Sequence, residues 1–260
     1  MGNIGPFQKP YNKRQYWDCR PIYRSHNLPK TALVSFPGSG NTWLRHMIQQ
    51  VTGIATGSVY NDSSIYNQGF PAEGVHDDTV ILIKTHEWGE KEKGRYQKAV
   101  ILIRDPFDAL RAEFNRQHRG HLGHASYFDY KQCKYKIRMI VPIIIKRLSF
   151  PDWRNFIHEN AGLWNIIYLD WLKFKGPIQV IHFEKLRNDP AYEIQKLLTF
   201  LVVPYTKSDM SCMMKNRDGR FRRNFIQILQ PFQRFSYYMK MSIKAYKLNI
   251  TKEIGLLTRN

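Results

Sequence analysis

Three short groups of residues in this chain have the side-chain types and the spacing needed to bind an anion and transfer a group from it. The first is the run SFPGSGNTW at residues 35–43, in which Gly38 and Gly40 allow successive backbone N–H groups to turn toward one point. A helix that begins just after this loop would add the positive end of its dipole. The run therefore predicts a phosphate-binding loop. An ordinary turn between a strand and a helix is the alternative.

The second group is Lys84-Thr85-His86, which follows the aliphatic run TVILI at residues 79–83. That run predicts a buried strand, so the group is expected at the carboxyl edge of a sheet, where α/β proteins bind ligands. A histidine of ordinary pKa, about 6.5, accepts a proton at neutral pH, and a nearby lysine can neutralise developing negative charge. The pair suits group transfer to a hydroxyl. A surface lysine and a structural histidine are the alternative.

The third group, Arg104-Asp105-Pro106, follows the aliphatic run AVILI at residues 99–103. Arg104 is expected to project past the same edge of the sheet, where its planar guanidinium would bind phosphate. Pairing of Arg104 with Asp105 or Asp108 is the alternative. The Asp-Pro pair also marks the turn into the next helix.

Strands and helices alternate along the chain in the pattern of an α/β domain. Apolar runs predict strands at residues 31–36, 79–83, 99–103 and 177–183, and helical spacing follows Asn41 and Pro106 and recurs at residues 161–174 and 193–201. Strands without polar alternation indicate a parallel sheet that is covered on both faces. We expect an irregular arm over residues 1–30 and a single α/β domain over residues 31–260, with a basic C-terminal segment.

The composition narrows the class of protein. The chain has 260 residues, of which 43% are hydrophobic, so it can bury a core and is neither a disordered tail nor a disulfide-framed mini-protein. Lys and Arg number 40 against 21 Asp and Glu, which gives a formal charge of +19. Such an excess predicts a phosphorylated, sulfated or acidic partner, without distinguishing nucleic acid, membrane, glycan and nucleotide.

Other features bear on the compartment and on metals. The cysteines allow at most one internal disulfide and, because they form no CxxC pair, argue against a zinc site; they are Cys19, Cys133 and Cys212. The sequons at Asn61 and Asn249 would accept glycans in a secretory lumen. The longest apolar stretch, residues 139–145, is far shorter than the roughly 20 residues of a membrane helix, and we expect neither signal nor anchor in the chain as given.

In their order along the chain, the three groups closely resemble the sulfotransferases that use 3′-phosphoadenylyl sulfate (PAPS). A fourth segment, VIHFEKL at residues 180–186, looks like the V-x-x-Y-E-D-L strand of that family. Within the family, the loop and the run AEFNR at residues 112–116 look most like the WSC-domain-containing sulfotransferases. The resemblance covers roughly residues 31–225 and includes neither the WSC carbohydrate-binding module nor the membrane anchor of that group.

The resemblance implies a P-loop-like, three-layer α/β fold with a central, mostly parallel sheet flanked by helices. It implies transfer of a sulfonate from PAPS to a hydroxyl of a carbohydrate acceptor, acidic or neutral, with sialic acid on glycans as the suggested acceptor. This chemistry requires no metal and no nucleic acid. The resemblance places the protein in the Golgi lumen or at its membrane, through an anchor missing from this chain. A cytoplasmic location is expected if no anchor lies upstream.

The resemblance also assigns roles residue by residue. His86 matches the catalytic base of the family's cytosolic branch, and Lys84 matches a lysine close to the transferred sulfonate. The loop would hold the 5′-phosphosulfate of PAPS, Arg104 the 3′-phosphate, and residues 216–220 are similar to a loop that closes over the nucleotide. The expected cofactor-binding residues are Pro37, Gly38, Ser39, Gly40, Asn41, Thr42, Trp43, Arg104, Arg217 and Gly219.

Two positions depart from the family pattern. Many of these enzymes have lysine where this loop has Gly38, and many have serine where this chain has Ala112. The missing lysine would stabilise the bridging oxygen of the donor, so its role would pass to Lys84, Arg45 or another cation. Both departures look like those of the WSC-domain group, and loss of activity is the alternative.

Two other functions compete with the enzyme. One is a catalytically inactive module that binds a heparin-like glycan or nucleic acid through the basic run KNRDGRFRR at residues 215–223. The other is a kinase of related fold, which is disfavoured because Gly40 is not followed by the lysine of a Walker A loop. Aromatic residues that could stack on a sugar, or pack in the core, are Trp88, Tyr127, Phe128 and Trp153.

Overall fold

The computed structural model describes residues 19–121, 123–130, 153–219 and 235–257. Over these residues the strands are β1 (Thr31–Val34), β2 (Gly57–Ser58), β3 (Ile83–Thr85), β4 (Lys98–Ile103) and β5 (Ile178–His182). They form a single parallel sheet in the order β2-β3-β1-β4-β5. The predicted α/β class is confirmed. Because every described strand runs in the same direction, all of their carboxyl ends meet at one edge.

Helices cover both faces of the sheet. The longer helices are α1 (Asn41–Thr52), α4 (Pro106–Arg119), α6 (Trp153–Trp171), α8 (Pro190–Leu201), α9 (Lys207–Lys215) and α10 (Tyr237–Leu257). The shorter ones are α2 (Ser63–Asn67), α3 (Glu90–Lys93), α5 (Tyr127–Tyr130) and α7 (Phe183–Asn188). The predicted three-layer arrangement is therefore confirmed over the described residues.

Neighbouring residues of each strand point to opposite faces and so enter two separate cores. Leu33 of β1 and Val100 of β4 pack in the core that contains α1 and α8. Ala32 and Ile101, one residue away, pack in the core that contains α4, α6 and α10. Burial on both faces explains why these strands are aliphatic runs without polar alternation.

The run at residues 79–83 predicted a strand, but the hydrogen-bonded strand β3 begins only at its last residue. Residues 80–82 are buried, so their apolar character reflects burial rather than strand geometry. The expected position of the second group changes accordingly. Lys84 lies inside β3, and His86 follows the strand directly.

Asp-Pro pairs begin two of the helices. The Asp105 carboxylate accepts a hydrogen bond from Phe107 N at 2.9 Å, and Pro106 occupies the first turn of α4. Asp189 and Pro190 begin α8 in the same way. Aspartate satisfies an unpaired N–H group, and proline has the helical φ already fixed, so the chain turns sharply just after β4 and after α7.

The described segments near the two ends of the chain contact the rest of the α/β domain. Tyr23 forms an isolated bridge with Ile54, and Cys19 forms a disulfide with Cys212 of α9. Residues 1–18 of the expected arm lie outside the described residues, as does the segment at residues 131–150. The long helix α10, which the sequence did not predict, packs against α6. Within the described ranges, no helix combines the length and the apolar character needed to cross a membrane.

Candidate functional site

The loop of residues 35–40 joins β1 to α1 at the carboxyl edge of the sheet. Gly38 has a φ of 82° and Gly40 a φ of 94°, a region that residues with a Cβ rarely occupy. Gly40 is the N-cap of α1, and it has no side chain to bind the first N–H groups of the helix. The first turn of α1 also contains no acidic residue. This helix start is therefore suited to an anion.

Tyr168 of α6 holds the loop in place. Its hydroxyl lies 3.0 Å from Phe36 N, which donates to it, and 3.2 Å from Ser39 Oγ. The same hydroxyl donates to the carbonyl of Leu102 in β4 at 2.9 Å. Burial raises the pKa of Tyr168, so the phenol keeps its proton. This role was not predicted, because a tyrosine in an apolar helix is usually a core residue.

Two predicted loop residues direct their side chains into the protein. Asn41 Nδ2 donates to Ser35 Oγ at 3.1 Å, which ties the start of α1 to the end of β1. Ser39 is buried, with its hydroxyl against Tyr168. The backbone N–H of Ser39 is also engaged, since it donates to the carbonyl of Phe36 at 3.2 Å. Any contribution of Asn41 to anion binding would come from its backbone N–H group.

Trp43 binds the backbone of the predicted residue Arg217 near the start of α1. Its indole Nε1 donates to the carbonyl of Arg217 at 2.6 Å. One turn further along α1, the ring Nε2 of His46 lies 2.8 Å from the carbonyl of Asn216. The backbone of residues 216 and 217 therefore lies against α1. Gly219, which was also predicted, follows in the same turn, where its N–H donates to the carbonyl of Asn216 at 3.3 Å.

Arg104 contacts the loop directly. Its Nη1 donates to the carbonyl of Gly38 at 2.9 Å, and its guanidinium lies 4.4 Å from the ring centre of Phe183. Burial lowers the pKa of Arg104 from its ordinary value. Among the described residues, the buried Arg104 Nε has no hydrogen-bond partner. The side chain is therefore part of the site, with donor capacity beyond its bond to the loop.

The alternative pairing of Arg104 with its neighbouring carboxylates does not account for its position. The Asp105 carboxylate caps α4 and accepts a bond from Lys247 at 2.7 Å. Asp108 pairs with Arg111 at 3.1 Å. Both carboxylates are therefore engaged by other partners, while the guanidinium of Arg104 faces the loop.

His86 also binds the loop, through its ring. Its Nδ1 lies 2.6 Å from the carbonyl of Ser35. A carbonyl only accepts hydrogen bonds, so Nδ1 carries a proton and Nε2 is the nitrogen that can accept one. The ring stacks on Tyr60 with the ring centres 5.5 Å apart. Burial, followed by the charge of Lys84, lowers the pKa of His86 to about 3, so the free protein holds it neutral.

Lys84 is only 8% exposed, and its Nζ lies 5.3 Å from the ring centre of Tyr60. Tyr60 thus contacts both Lys84 and His86. Burial, followed by the charge of Arg45, lowers the pKa of Lys84 to about 8. Lys84 is therefore a cation at neutral pH, but one whose charge is held weakly.

Arg45, the other cation expected to replace the missing lysine, is enclosed in the protein. Its side chain is fully buried and bonds Glu73 at 2.8 Å and Thr56 at 3.0 Å. Its charge is compensated by the equally buried carboxylate of Glu73. Of the two cations, Lys84 is therefore the one placed to act on a ligand.

The two departures from the family pattern touch each other. A Cβ on Gly38 would lie 3.1 Å from the Cβ of Ala112, 2.6 Å from the carbonyl oxygen of Ala109 and 2.8 Å from Glu113 N. The loop therefore packs against the backbone of α4. A side chain at position 38 would require α4 to move, so the absence of lysine there follows from the packing.

The candidate sugar-stacking residues separate into different environments. Trp88 is 45% exposed, next to the end of β3. Trp153 is 4% exposed and packs among Phe114 and Phe156, so of its two alternatives the structure shows packing in the core. The side chains of residues 127 and 128 lie outside what the structure describes.

The packing of Gly38 can be tested by substitution. We expect Gly38→Ala to lower the free energy of unfolding by about 2–5 kcal/mol, because the positive φ and the contact with α4 both oppose a Cβ. Gly74→Ala is the control, since its φ is 89° but its Cβ would meet only Asn61, at 3.5 Å or more. Denaturant unfolding measures both variants. Equal losses would contradict the close packing of the loop on α4.

Relatives of this chain occur in insects. WSCD family member GA21586 of Drosophila pseudoobscura pseudoobscura is 38% identical over 226 residues, which are 86% of this chain and 66% of that protein. WSCD family member CG9164 of Drosophila melanogaster is 42% identical over 194 residues, 74% of this chain and 56% of that protein. WSCD family member AAEL009094 of Aedes aegypti is 38% identical over 258 residues, 98% of this chain and 76% of that protein. The chain thus spans slightly under two thirds of the first relative and little more than half of the second.

No protein-family model matches the chain. Among solved structures, the mouse sulfotransferase SULT7A1 complexed with PAP superposes with a TM-score of 0.55 and 15% identity, over 85% of this chain and 83% of that one. This likeness confirms the predicted fold, the P-loop-like fold of a sulfotransferase. Together with the insect relatives it confirms the resemblance drawn from residues 35–43, 84–86 and 104–106. The chain belongs to the WSCD family.

Proposed function

We propose that this protein is a sulfotransferase that moves a sulfonate from PAPS to a hydroxyl of a carbohydrate acceptor, with sialic acid on glycans as the suggested acceptor. The observation that carries the proposal is the bond between His86 Nδ1 and the carbonyl of Ser35. It fixes a proton acceptor against the loop and leaves Nε2 as the nitrogen for the acceptor hydroxyl. The sulfotransferase fold supports this reading, and the mouse protein of that fold is a complex with PAP.

The residues of the site fit PAPS as donor. The start of α1, where no N-cap side chain occupies the N–H groups, suits the 5′-phosphosulfate. The buried Arg104 Nε, which has no partner among the described residues, suits the 3′-phosphate. Arg217, whose carbonyl binds Trp43, and the nearby Gly219 would lie over the nucleotide. PAPS would supply a sulfonate already activated by its bond to phosphate.

The side chains at the end of β3 would then act on the acceptor. His86 Nε2 takes the proton of the attacking hydroxyl, and the bond from Nδ1 to Ser35 stabilises the imidazolium that forms. Lys84 offsets the negative charge that develops on the departing oxygen. An anion next to these residues also raises the pKa of both relative to the free protein, which makes the base stronger during the reaction.

The disulfide helps to distinguish a secretory compartment from the cytosol. Disulfides persist in oxidising compartments such as the secretory lumen and are rare in the cytosol. The bridge between Cys19 and Cys212 therefore supports a Golgi-lumen location over a cytoplasmic one. The exposed sequon residue Asn61 is compatible with that location.

The polyanion-binding alternative gains no support from the described part of its basic run. Residues 220–223 lie outside the described residues. The carbonyls of Asn216 and Arg217 bind side chains of α1. The backbone at the start of the run is therefore held against α1.

The enzyme is tested by incubating the protein with radiolabelled PAPS and sialylated, galactosylated and phenolic acceptors. We expect His86→Ala to lower kcat by about 10²–10⁴-fold, the usual contribution of a positioned base, while the affinity for PAP stays unchanged. His76→Ala, at an exposed histidine, is the control and should keep the activity of the unaltered protein. A full rate in His86→Ala would remove this residue from the base role.

A binding measurement tests the role of Arg104. We expect Arg104→Ala to weaken PAP binding by about 10- to 100-fold, because a buried phosphate loses a charge-assisted hydrogen bond of roughly 1.5–3 kcal/mol. Titration calorimetry measures the change. The matched control is Arg95→Ala, at an arginine that is 46% exposed and pairs with Glu92. Unchanged affinity in Arg104→Ala would refute the assignment.

The pH dependence of kcat/KM tests the protonation states of Lys84 and His86 in the free protein. Lys84 must be protonated to act, so kcat/KM is expected to fall as the pH rises through about 8. His86 must be neutral, and its pKa of about 3 keeps it neutral throughout the physiological range. No decline is therefore expected near the ordinary histidine pKa of about 6.5.

The substitution Lys84→Arg isolates the basic limb of that profile. A guanidinium stays charged well above the pH at which a buried ammonium loses its proton, so the fall near pH 8 should disappear. A fall of kcat/KM that persists unchanged in Lys84→Arg would show that another group controls it.

A further inference from the structure

A second set of charged side chains borders the site, where the chain leaves β2 and where α4 ends. Tyr60, which stacks on His86, is followed two residues later by Asp62. The Asp62 carboxylate caps α2 through Ser64 N at 2.9 Å and bonds the ring of His121 at 3.1 Å. The turn after α4 is therefore tied to the loop that carries Tyr60. The last turns of α4 lie beside the space next to His86.

Arg116, in these last turns, is held in one orientation. Its Nε donates to Glu113 Oε2 at 2.6 Å, and its Nη2 donates to Oε1 at 2.5 Å. Glu113 is only 2% exposed and accepts a further bond from Gln117 at 3.0 Å. Arg116 itself is 39% exposed. Its guanidinium is thus anchored along one edge, and the edge that remains, called here the Nη1 edge, is formed by Nη1 and the second N–H of Nη2.

The positive charge of Arg116 acts on His86 and Lys84. Burial and Lys84 lower the pKa of His86 most, and Arg116 lowers it further. Arg116 also contributes to the lowered pKa of Lys84, after burial and Arg45. Glu113 accepts hydrogen bonds from Arg116, and Asp62 accepts one from the ring of His121. A ligand that lies between these side chains and His86 would be near the positive charges of Arg116 and Lys84.

We propose that the Nη1 edge of Arg116 binds the carboxylate of an acidic sugar acceptor and thereby directs a hydroxyl of that sugar to His86. This inference rests on the proposed function and adds the residue that selects the acceptor. A planar guanidinium matches the two oxygens of a carboxylate, and its anchoring by Glu113 reduces the entropy lost on binding. Sialic acids and hexuronates share this chemistry, a carboxylate beside several hydroxyls.

Binding to the PAP-bound protein tests the proposal without turnover. NMR titration would compare sialyllactose with its methyl ester, which has nearly the same shape but no charge, and glucuronide with its ester. We expect the protein to bind one of the acids about 10- to 100-fold more tightly than its ester, the effect of a charge-assisted hydrogen bond. The pair that shows the preference identifies the sugar. Equal affinity within both pairs, or no binding, overturns the proposal.

Variants of Arg116 test whether this residue causes the preference for the acid over its ester. In Arg116→Gln the ratio of acid to ester affinity should fall to about one. Arg116→Lys keeps a charge beside Glu113 but lacks the planar fork, so it should fold normally and lose most of the preference. The control is Arg119→Gln, at a residue of the same helix that is 51% exposed and pairs with Asp129. A preference undiminished in both Arg116 variants overturns the proposal.

Transfer assays on the same pairs separate this inference from the proposed function. If sulfonate from PAPS reaches an acid and its ester at equal kcat/KM, the role of Arg116 is wrong and the sulfotransferase activity stands. If the acid binds through Arg116 but accepts no sulfonate, the role of Arg116 stands and the proposed function is wrong.

Discussion

The site depends on one buried hydroxyl, that of Tyr168. It joins the loop after β1 to the neighbouring strand β4, since it accepts from Phe36 N and donates to the carbonyl of Leu102. Strand β4 in turn leads to Arg104, whose guanidinium binds the loop from the other side. The carbonyl of Ser35, next to Phe36, sets the ring of His86. A single phenol thus ties the loop to which Arg104 and His86 both bind to strand β4.

The close packing of the loop on α4 decides which cation the site can use. Because a Cβ on Gly38 would meet the backbone of α4, the loop cannot present a lysine of its own there. The small side chain of Ala112 belongs to the same contact. Lys84 lies in the adjacent strand β3, and in the proposed function its ammonium, held beside Tyr60, would take the place of that lysine. The two departures from the family pattern are therefore one structural change.

The sequence predicted the sheet edge well because strand ends and glycine turns are local signals. The positions of residues 35–43, His86 and Arg104 followed from aliphatic runs and from the rule that parallel strands end together. The sequence could not show Tyr168 or Glu113, because their roles come from contacts with distant elements. It also misplaced the start of β3, since residues 80–82 are apolar through burial and not through strand pairing.

In the free protein, burial changes the pKa of three basic side chains of the site in the same direction. Burial lowers the pKa of His86, Lys84 and Arg104, so each resists its own charged form. An anion that binds among them reverses this, because it favours every positive charge in reach. Binding of the proposed anionic donor would therefore be coupled to proton uptake, and the coupling would be reciprocal. In that proposal, His86 would be a weak base before the donor binds and a stronger one once the donor is in place.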